Sequence, residues 1–217
     1  QNTVSVAEVL RRNGYGTAVF GKWHNTPHWE ISPAGPFNHW PTSLGFDAFY
    51  GFMAGMENHW EPSRLYRDTR PVEPWGRPED GYHLSEDLVD QALKMVSDSR
   101  GVRPDRPFFL YLPFGATHAP HQAPASYLAK YRGAFDDGWD VARQRWFQRQ
   151  LERGVIPAGT ELAPRNPGVD AWDALGDNQR RLACRLQEAF AAFLDHTDDQ
   201  IGRLVDGLRA MGQLDNT

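Results

Sequence analysis

The sequence predicts an α/β fold, and three features support this prediction. A helical pattern over residues 3–13 is followed by a glycine turn and a short apolar strand at 17–20. A second strand, 106–113, is almost wholly apolar. A long amphipathic pattern then predicts a helix over 177–212. Alternation of helices with apolar strands is typical of a sheet that carries helices on its faces.

Composition limits the classes of function. The chain has 217 residues, of which 40% are hydrophobic and 24% charged, as in a globular protein with an ample core. The net charge is -5, and no Lys/Arg-rich block exists, which argues against a nucleic-acid partner. No apolar run approaches the about 20 residues that a membrane span needs. The oligomeric state has no sequence signal.

Cysteine usage bears on the compartment and on metal chemistry. The single cysteine, Cys184, excludes an internal disulfide and a thiolate zinc cluster. The lack of disulfides slightly favours a bacterial cytoplasmic location over a periplasmic one. Cys184 lies within the last predicted helix, where we expect a small buried side chain.

The first half of the chain combines regular elements with one long irregular segment. The helix over 3–13 has Thr3 or Ser5 as its cap, an apolar stripe that includes Val6 and Val9, and Gly14 as its stop. Residues 25–84 are rich in proline, glycine and aromatic side chains and show little periodicity. Because the aromatic content argues against disorder, this segment is predicted to be an ordered excursion that packs over a site.

The second half reads as a helix, a strand and three further helices. A helix is expected from about 85 to 99, and the apolar strand 106–113 should be central and covered on both faces. Shorter helices are expected at 125–132 and 141–153. The buried stripe expected on the helix 177–212 includes Leu182, Leu186, Phe193 and Leu194.

Candidate site residues follow both strands. Lys22 and His24 come directly after the strand 17–20 and alternate with Trp23, so an extended chain would place Lys22 and His24 on one side. Ligands of open α/β sheets bind at the carboxyl ends of strands. An ammonium group and an imidazole suit a tetrahedral oxyanion such as sulfate or phosphate.

Further candidates lie in the loops. The strand 106–113 ends in a polar loop that carries His118 and His121. Within the excursion, Trp29, Asn58 and His59 are candidates for contact with the substrate at the rim of the site. His196 lies among three aspartates on the last helix, where a solvated or salt-bridged face explains the pattern without a metal ion.

Two motifs carry a family resemblance. Gly-Lys-Trp-His at 21–24 and Ala-Thr-His-Ala-Pro-His-Gln-Ala-Pro at 116–124 resemble those of type I sulfatases, the arylsulfatases of the alkaline-phosphatase-like superfamily. The resemblance implies an α/β sandwich with a mainly parallel central sheet that is incomplete in this chain. It also implies that Lys22 binds sulfate, that His24 takes a proton near the nucleophile, and that His118 binds sulfate and protonates the leaving oxygen. His121 is assigned to substrate binding with no catalytic role.

The chain departs from the family pattern in its nucleophile and metal ligands. The Cys/Ser-x-Pro-x-Arg motif that yields formylglycine is absent, since Cys184 is followed by Arg-Leu-Gln-Glu. The paired aspartates and the Asp-Asn pair that bind calcium in the family are also absent. We therefore expect residues 1–217 to be a partial sulfatase catalytic domain, an internal fragment, with formylglycine and the Ca²⁺ ligands outside it. The fragment alone is expected to be inactive.

The resemblance implies a reaction class and leaves alternatives open. The complete enzyme would hydrolyse a small-molecule sulfate ester to an alcohol and sulfate through a formylglycine nucleophile. One alternative is a phosphodiesterase or phosphonate monoester hydrolase of the same superfamily, and another is an anion-binding fragment without turnover. The alcohol half of the substrate is not determined by the residues.

Overall fold

The computed structural model describes residues 3–217 and shows five helices and five strands, joined by loops and short 3₁₀ turns. The helices are α1 (Val6–Arg12), α2 (Leu84–Val102), α3 (Ala125–Lys130), α4 (Gly138–Glu152) and α5 (Asp177–Ala210). The strands are β1 (Gly16–Lys22), β2 (Ala48–Phe52), β3 (Leu65–Arg67), β4 (Arg70–Pro71) and β5 (Phe108–Tyr111). The described chain therefore has the predicted α/β character.

The five strands form one sheet in the order β4-β3-β2-β1-β5. β1 pairs in parallel with β2 on one side and with β5 on the other. β3 pairs antiparallel with β2 and β4 pairs antiparallel with β3, so a short hairpin completes one side of the sheet. The parallel strands β5, β1 and β2 consequently end at the same edge, which is the edge that the sequence predicts for the site.

The segment 25–84 is predicted to be an excursion over the site, but it also supplies strands of the sheet. Three of the five strands, β2, β3 and β4, lie within it. In β2 the aromatic side chains Phe49, Tyr50 and Phe52 are buried and alternate between the two faces. The absence of a periodic pattern around these short strands explains why the sequence suggests loop structure here.

The core lies on both faces of the sheet, as the alternation of side chains along β1 shows. Ala18 and Phe20 pack on one face with Leu88 and Ala92 of α2. Val19 packs on the other face with a buried aromatic cluster that includes Trp40. The stripe of α2 is fully buried at Leu88, Ala92 and Val96, in agreement with the helix predicted there.

The expectation that strand 106–113 is central and covered on both faces is wrong for the described chain. β5 lies at an edge of the sheet, and Tyr111 is 44% exposed. An apolar run predicts that a strand is buried. It does not show which part of the polypeptide supplies the neighbouring strand.

The helix α1 is shorter than predicted and turns a different side to the core. Ser5 caps it and accepts a hydrogen bond from the backbone of Glu8 over 3.0 Å. Ala7 is fully buried, whereas Val6 is 61% and Val9 is 48% exposed, which contradicts the predicted stripe. The reason is a close approach to Gly45, at which a Cβ would lie 2.3 Å from the nitrogen of Glu8.

The chain divides into two compact units. One contains the residues up to Gln122 together with His196–Thr217, and the other is Ala123–Asp195. The second unit holds α3, α4 and the first half of α5. No helix of the described chain combines the length and the apolar composition that a membrane crossing requires.

The long helix α5 ends two residues before the predicted limit, and its buried stripe is narrower than expected. Phe193 is fully buried, but Leu182 is 61%, Leu186 is 53% and Leu194 is 53% exposed. Helical periodicity shows which side chains share a face of a helix. It does not show whether the described chain covers that face.

Candidate functional site

The carboxyl ends of three strands lie side by side at the predicted edge. Lys22 is the last residue of β1 and is in register with Phe52, the last residue of β2. The backbone N–H of Lys22 donates to the carbonyl of Pro113, just after β5, over 2.7 Å. The segments that carry Lys22, His24 and His118 therefore leave the sheet from neighbouring positions.

Glycines allow the backbones to approach closely at this edge. A Cβ on Gly21 would lie 2.0 Å from the carbonyl oxygen of Pro113, and a Cβ on Gly51 would lie 1.9 Å from the carbonyl oxygen of Gly21. No side chain larger than hydrogen fits at either position. The glycine before Lys22 in the Gly-Lys-Trp-His motif thus has a physical reason, which is the contact between β1 and the chain that follows β5.

The side chains after β1 alternate as the sequence predicts. Trp23 is buried, with its indole N–H donating to the hydroxyl of Thr26 over 3.2 Å, while Lys22 is half-buried and His24 is exposed. The His24 imidazole rests on Gly55, where a Cβ would lie 2.8 Å from its Cε1. The loop after β2 therefore supports the ring of His24.

The loop after β5 presents His118 to solvent. The His118 backbone N–H donates to the carbonyl of Gly115 over 3.0 Å, and Nδ1 lies 2.8 Å from the carbonyl oxygen of Ala119. Because a carbonyl oxygen can only accept, Nδ1 carries the hydrogen, and Nε2 is the nitrogen that can exchange a proton with a ligand. His121 is half-buried on the same loop.

Two of the candidates for contact with the substrate from the excursion, Trp29 and His59, differ sharply in exposure. Trp29 is 81% exposed on a 3₁₀ turn, His28–Glu30. This turn is fixed by Glu30, whose carboxylate lies 2.6 Å from Nδ1 of His39. His59 is only 1% exposed, so its ring lies beneath the surface and does not form part of a rim.

A buried cluster of three histidines lies behind the edge. The ring centres of His59 and His83 are 5.6 Å apart, and those of His83 and His196 are 4.3 Å apart. All three side chains are 1% exposed, and Nε2 of His196 lies 2.9 Å from the carboxylate of Glu86. His196 is thus buried and paired with Glu86, which agrees with the salt-bridged alternative and contradicts a solvated helix face.

Burial controls the protonation of two members of this cluster. Loss of hydration lowers the pKa of His59 to about 4 and that of His83 to about 3, and the neighbouring His196 adds to both shifts. His59 and His83 are therefore neutral at physiological pH. The sequence contains no spacing signal for this cluster, since its members are 24 and 113 residues apart along the chain.

One cavity lies away from the carboxyl ends of the strands. A cavity of about 460 Å³ lies at the amino end of β1, beside Gly16, Ala48 and Met95. Lys22, His24 and His118 are not among its lining residues. Its position at the opposite end of the strand removes it from the candidate site.

Metal coordination is not supported by the side chains at the strand ends. Within residues 3–217, no group of three histidine, cysteine or acidic side chains is arranged to hold a metal ion. Calcium prefers oxygen ligands, whereas this edge offers an ammonium group and imidazoles. The Ca²⁺ ligands and the formylglycine expected from the resemblance therefore stay predictions for residues outside this chain.

Comparison with known proteins decides the family, because the family model described as Sulfatase matches residues 1–217. The chain belongs to the sulfatase family. An uncharacterized sulfatase of Schizosaccharomyces pombe is 32% identical over 98% of this chain and 39% of its own length. An arylsulfatase of Klebsiella aerogenes is 29% identical over 98% of this chain and 45% of its own length. This sulfatase chain thus spans less than half of these relatives.

Solved structures agree with this sulfatase chain at the level of the fold. The Bacteroides fragilis protein yidJ matches with a TM-score of 0.63 and 19% identity, over 100% of this chain and 42% of that one. The PsFucS1 sulfatase of a Pseudoalteromonas species matches with a TM-score of 0.53 and 20% identity, over 99% and 36%. The alkaline-phosphatase-like α/β fold expected from the sequence is therefore confirmed.

Proposed function

We propose that the full-length protein, meaning the complete reading frame that contains this chain, is a sulfuric-ester hydrolase of the arylsulfatase type. The observation that carries the proposal is the hydrogen bond between Lys22 and Pro113. It sets the start of the His118 loop beside the end of β1, where Lys22 and His24 leave the sheet. Membership of the sulfatase family supports sulfate as the group that is recognised.

Lys22 is proposed to bind the sulfate group and to offset its negative charge. A fixed ammonium group near a reacting anion stabilises charge more strongly in a partly dry site than in water. Lys22 is half-buried and is the last residue of β1, at the edge where the site is predicted. Trp29 and His121 remain proposed substrate contacts from the sequence. His59, also predicted as a substrate contact, is buried, and a different role for it is argued below.

His118 is proposed to protonate the leaving oxygen. Hydrolysis breaks the bond between sulfur and the ester oxygen, and that oxygen needs a proton when the alcohol is a poor leaving group. With Nδ1 held on the carbonyl of Ala119, a protonated Nε2 can donate this hydrogen. His24, exposed beside Lys22, is proposed to accept a proton in the step that releases sulfate.

Groups expected outside this chain complete the proposal. A formylglycine would supply the nucleophile and Ca²⁺ would add positive charge near the sulfate. A small-molecule sulfate ester is the proposed substrate, and a bacterial cytoplasmic location stays a prediction.

The test is a comparison of nitrophenyl sulfate with nitrophenyl phosphate and a phosphonate monoester, using the purified full-length protein with Ca²⁺ present. We expect hydrolysis of the sulfate ester to exceed that of the phosphorus esters by at least about tenfold in kcat/KM. A preference for either phosphorus ester would instead support the phosphodiesterase or phosphonate hydrolase alternative. Absence of hydrolysis of all three would contradict the proposed activity.

A further inference from the structure

The loop 115–122, which carries His118 and His121, contacts residues 58–59 at both of its ends. At its start, Gly115 lies on the ring of His59, and a Cβ there would be 2.7 Å from Nε2. At its end, the side-chain oxygen of Gln122 accepts the backbone N–H of His59 over 2.7 Å. The amide of Gln122 also donates to the side chain of Asn58 over 3.0 Å.

The contact between Gly115 and His59 bears directly on the position of His118. Its backbone N–H donates to the carbonyl of Gly115, so the turn that presents His118 starts at the residue on which His59 rests. The ring of Phe52 lies on the same side of Gly115, where a Cβ would be 3.1 Å from its Cζ. Gly115 is consequently held between the two rings and the loop, and a shift of His59 would be passed to His118.

The ring of His59 is itself firmly held. Its Nδ1 lies 3.1 Å from the carbonyl oxygen of Glu57, which requires a hydrogen on Nδ1. The carboxylate of Glu57 accepts the backbone N–H groups of Asn58 over 2.9 Å and Ser63 over 3.2 Å, which fixes the turn around it. His83 also packs against the ring, with the two ring centres 5.6 Å apart. With 1% of His59 exposed, the ring cannot reach a ligand without displacing its neighbours.

We propose that His59 is a positioning residue for the candidate site: its buried imidazole sets the place of Gly115 and thereby that of His118. It acts through Gly115 and does not touch the substrate. The inference rests on the proposed function in one respect, because it takes His118 as the donor to the leaving oxygen. It predicts that His59 affects the same chemical step as His118, and to a smaller extent.

The test uses two substitutions of His59 in the full-length protein. His59→Leu has a similar volume but no hydrogen-bond donor, whereas His59→Asn retains an N–H group close to the position of Nδ1. Misplacement of a catalytic group by about 1 Å can cost about 100-fold in rate, so kcat/KM for an alkyl sulfate should fall by about 10- to 100-fold in His59→Leu. For nitrophenyl sulfate the loss should stay within about threefold, because nitrophenolate leaves without a proton. His59→Asn lacks the Nε2 and Cε1 atoms that contact Gly115, so it should show a similar unequal loss although it keeps the N–H group.

His196→Leu is the matched control. His196 is buried to the same extent and belongs to the same cluster, but it packs on His83 rather than on Gly115. We expect it to lower thermal stability while changing kcat/KM for the two sulfate esters by equal factors. Equal losses on both esters in His59→Leu, or the same unequal losses in His196→Leu, would overturn the inference.

Crystal structures of the two leucine variants separate this inference from the proposed function. The position of His118 should shift by about 1 Å in His59→Leu, the displacement on which the rate estimate depends, and stay in place in His196→Leu. An unmoved His118 in His59→Leu would refute the positioning role whatever the enzyme hydrolyses. Failure of the wild-type protein to hydrolyse any sulfate ester would refute the proposed function alone.

Discussion

The carboxylate of Asp87 accepts a 2.5 Å hydrogen bond from the phenol of Tyr50, which joins the first turn of α2 to β2. The phenol of Tyr82 donates to the same oxygen over 3.1 Å. Asp87 is fully buried, so these two donors replace the water that the carboxylate loses on folding. Burial and the bond to Asp87 raise the pKa of Tyr50, which keeps the phenol protonated and able to donate.

Removal of the Tyr50 donor should therefore destabilise the protein. Hydrogen bonds to charged groups contribute about 1.5–3 kcal/mol, so we expect Tyr50→Phe to lower the free energy of unfolding by about 2 kcal/mol. Denaturant unfolding of the full-length protein is the measurement. Tyr111→Phe, on an exposed side chain of β5, is the control and should change stability by less than about 0.5 kcal/mol. Equal effects of the two substitutions would contradict the role of the buried pair.

Two glycines in the second half of α5 should respond to alanine in opposite ways. Gly202 has no atom within 4 Å of a Cβ built on it, so Gly202→Ala should stabilise the helix by about 0.5–1 kcal/mol. A Cβ on Gly207 would lie 2.4 Å from Cδ2 of Leu93. Gly207→Ala should lower stability by about 1–3 kcal/mol through overpacking against α2. Thermal unfolding of the two variants compares them directly, and a stabilising Gly207→Ala would show that α2 and α5 do not pack as described.

Substitution of His118 should affect esters according to their leaving groups. Loss of a proton donor typically costs about 10²–10⁴-fold, so His118→Ala should lower kcat for alkyl sulfates by this amount. For activated nitrophenyl sulfates the loss should be much smaller. The measurement is steady-state kinetics of the full-length protein on both esters. His28→Ala, which removes an exposed imidazole from the turn His28–Glu30, is the control. Equal losses on both esters would contradict a leaving-group role for His118.

Gly55 should be required for activity more than for stability. A Cβ at Gly55 would lie 2.8 Å from Cε1 of His24, and the exposed ring of His24 can move away. Gly55→Ala should therefore lower kcat by about 10- to 100-fold through displacement of His24, as misplacement of reacting groups does elsewhere. The midpoint of thermal unfolding should stay within about 2 °C of wild type, as expected when no buried contact is lost. Full activity of Gly55→Ala would show that the position of the His24 ring is unimportant.

The sequence predicts those parts of the molecule in which one local pattern decides the structure. The apolar run before Lys22 and the helix expected from about 85 to 99 are confirmed as β1 and α2, because period and burial agree there. β2 is not predicted by the sequence, since Gly51 interrupts its aromatic residues and its pattern is too short to show alternation. The placement of Lys22 beside the His118 loop was predictable, because both follow strands that end at one edge.

Other features arise only when distant segments meet. The contact of Gly115 with His59 joins residues 56 positions apart, and no spacing pattern in the sequence predicts it. The same holds for the contact of His83 with His196. A histidine in an aromatic-rich loop is equally compatible with a rim and with a core, because only the packing around it decides whether it meets water.

The buried histidines should make stability fall below neutral pH. In the unfolded chain His59 and His83 have a pKa of about 6.5, whereas in the folded protein the values are about 4 and 3. The unfolded state therefore binds more protons between these limits, so stability is fully present above about pH 7 and is lost as the pH falls through 6.5. At pH 5 each histidine should cost about 2 kcal/mol, since one pKa unit corresponds to about 1.4 kcal/mol. The groups that face these rings include the carbonyls of Glu57 and Gln122, the backbone N–H of Ser85, the ring of Trp60 and the ring of His196, with Glu86 bonded to the last.

Urea unfolding of the full-length protein at pH 8, 7, 6 and 5 measures this loss. His59→Asn removes one of the two titrating rings and should reduce the loss between pH 7 and 5 by about half, because the two folded pKa values are depressed for the same reason. His28→Asn, at an exposed position, should leave the pH dependence of wild type unchanged. Stability that is constant from pH 7 to 5 would mean that the cluster accepts protons in the folded state as readily as in the unfolded chain.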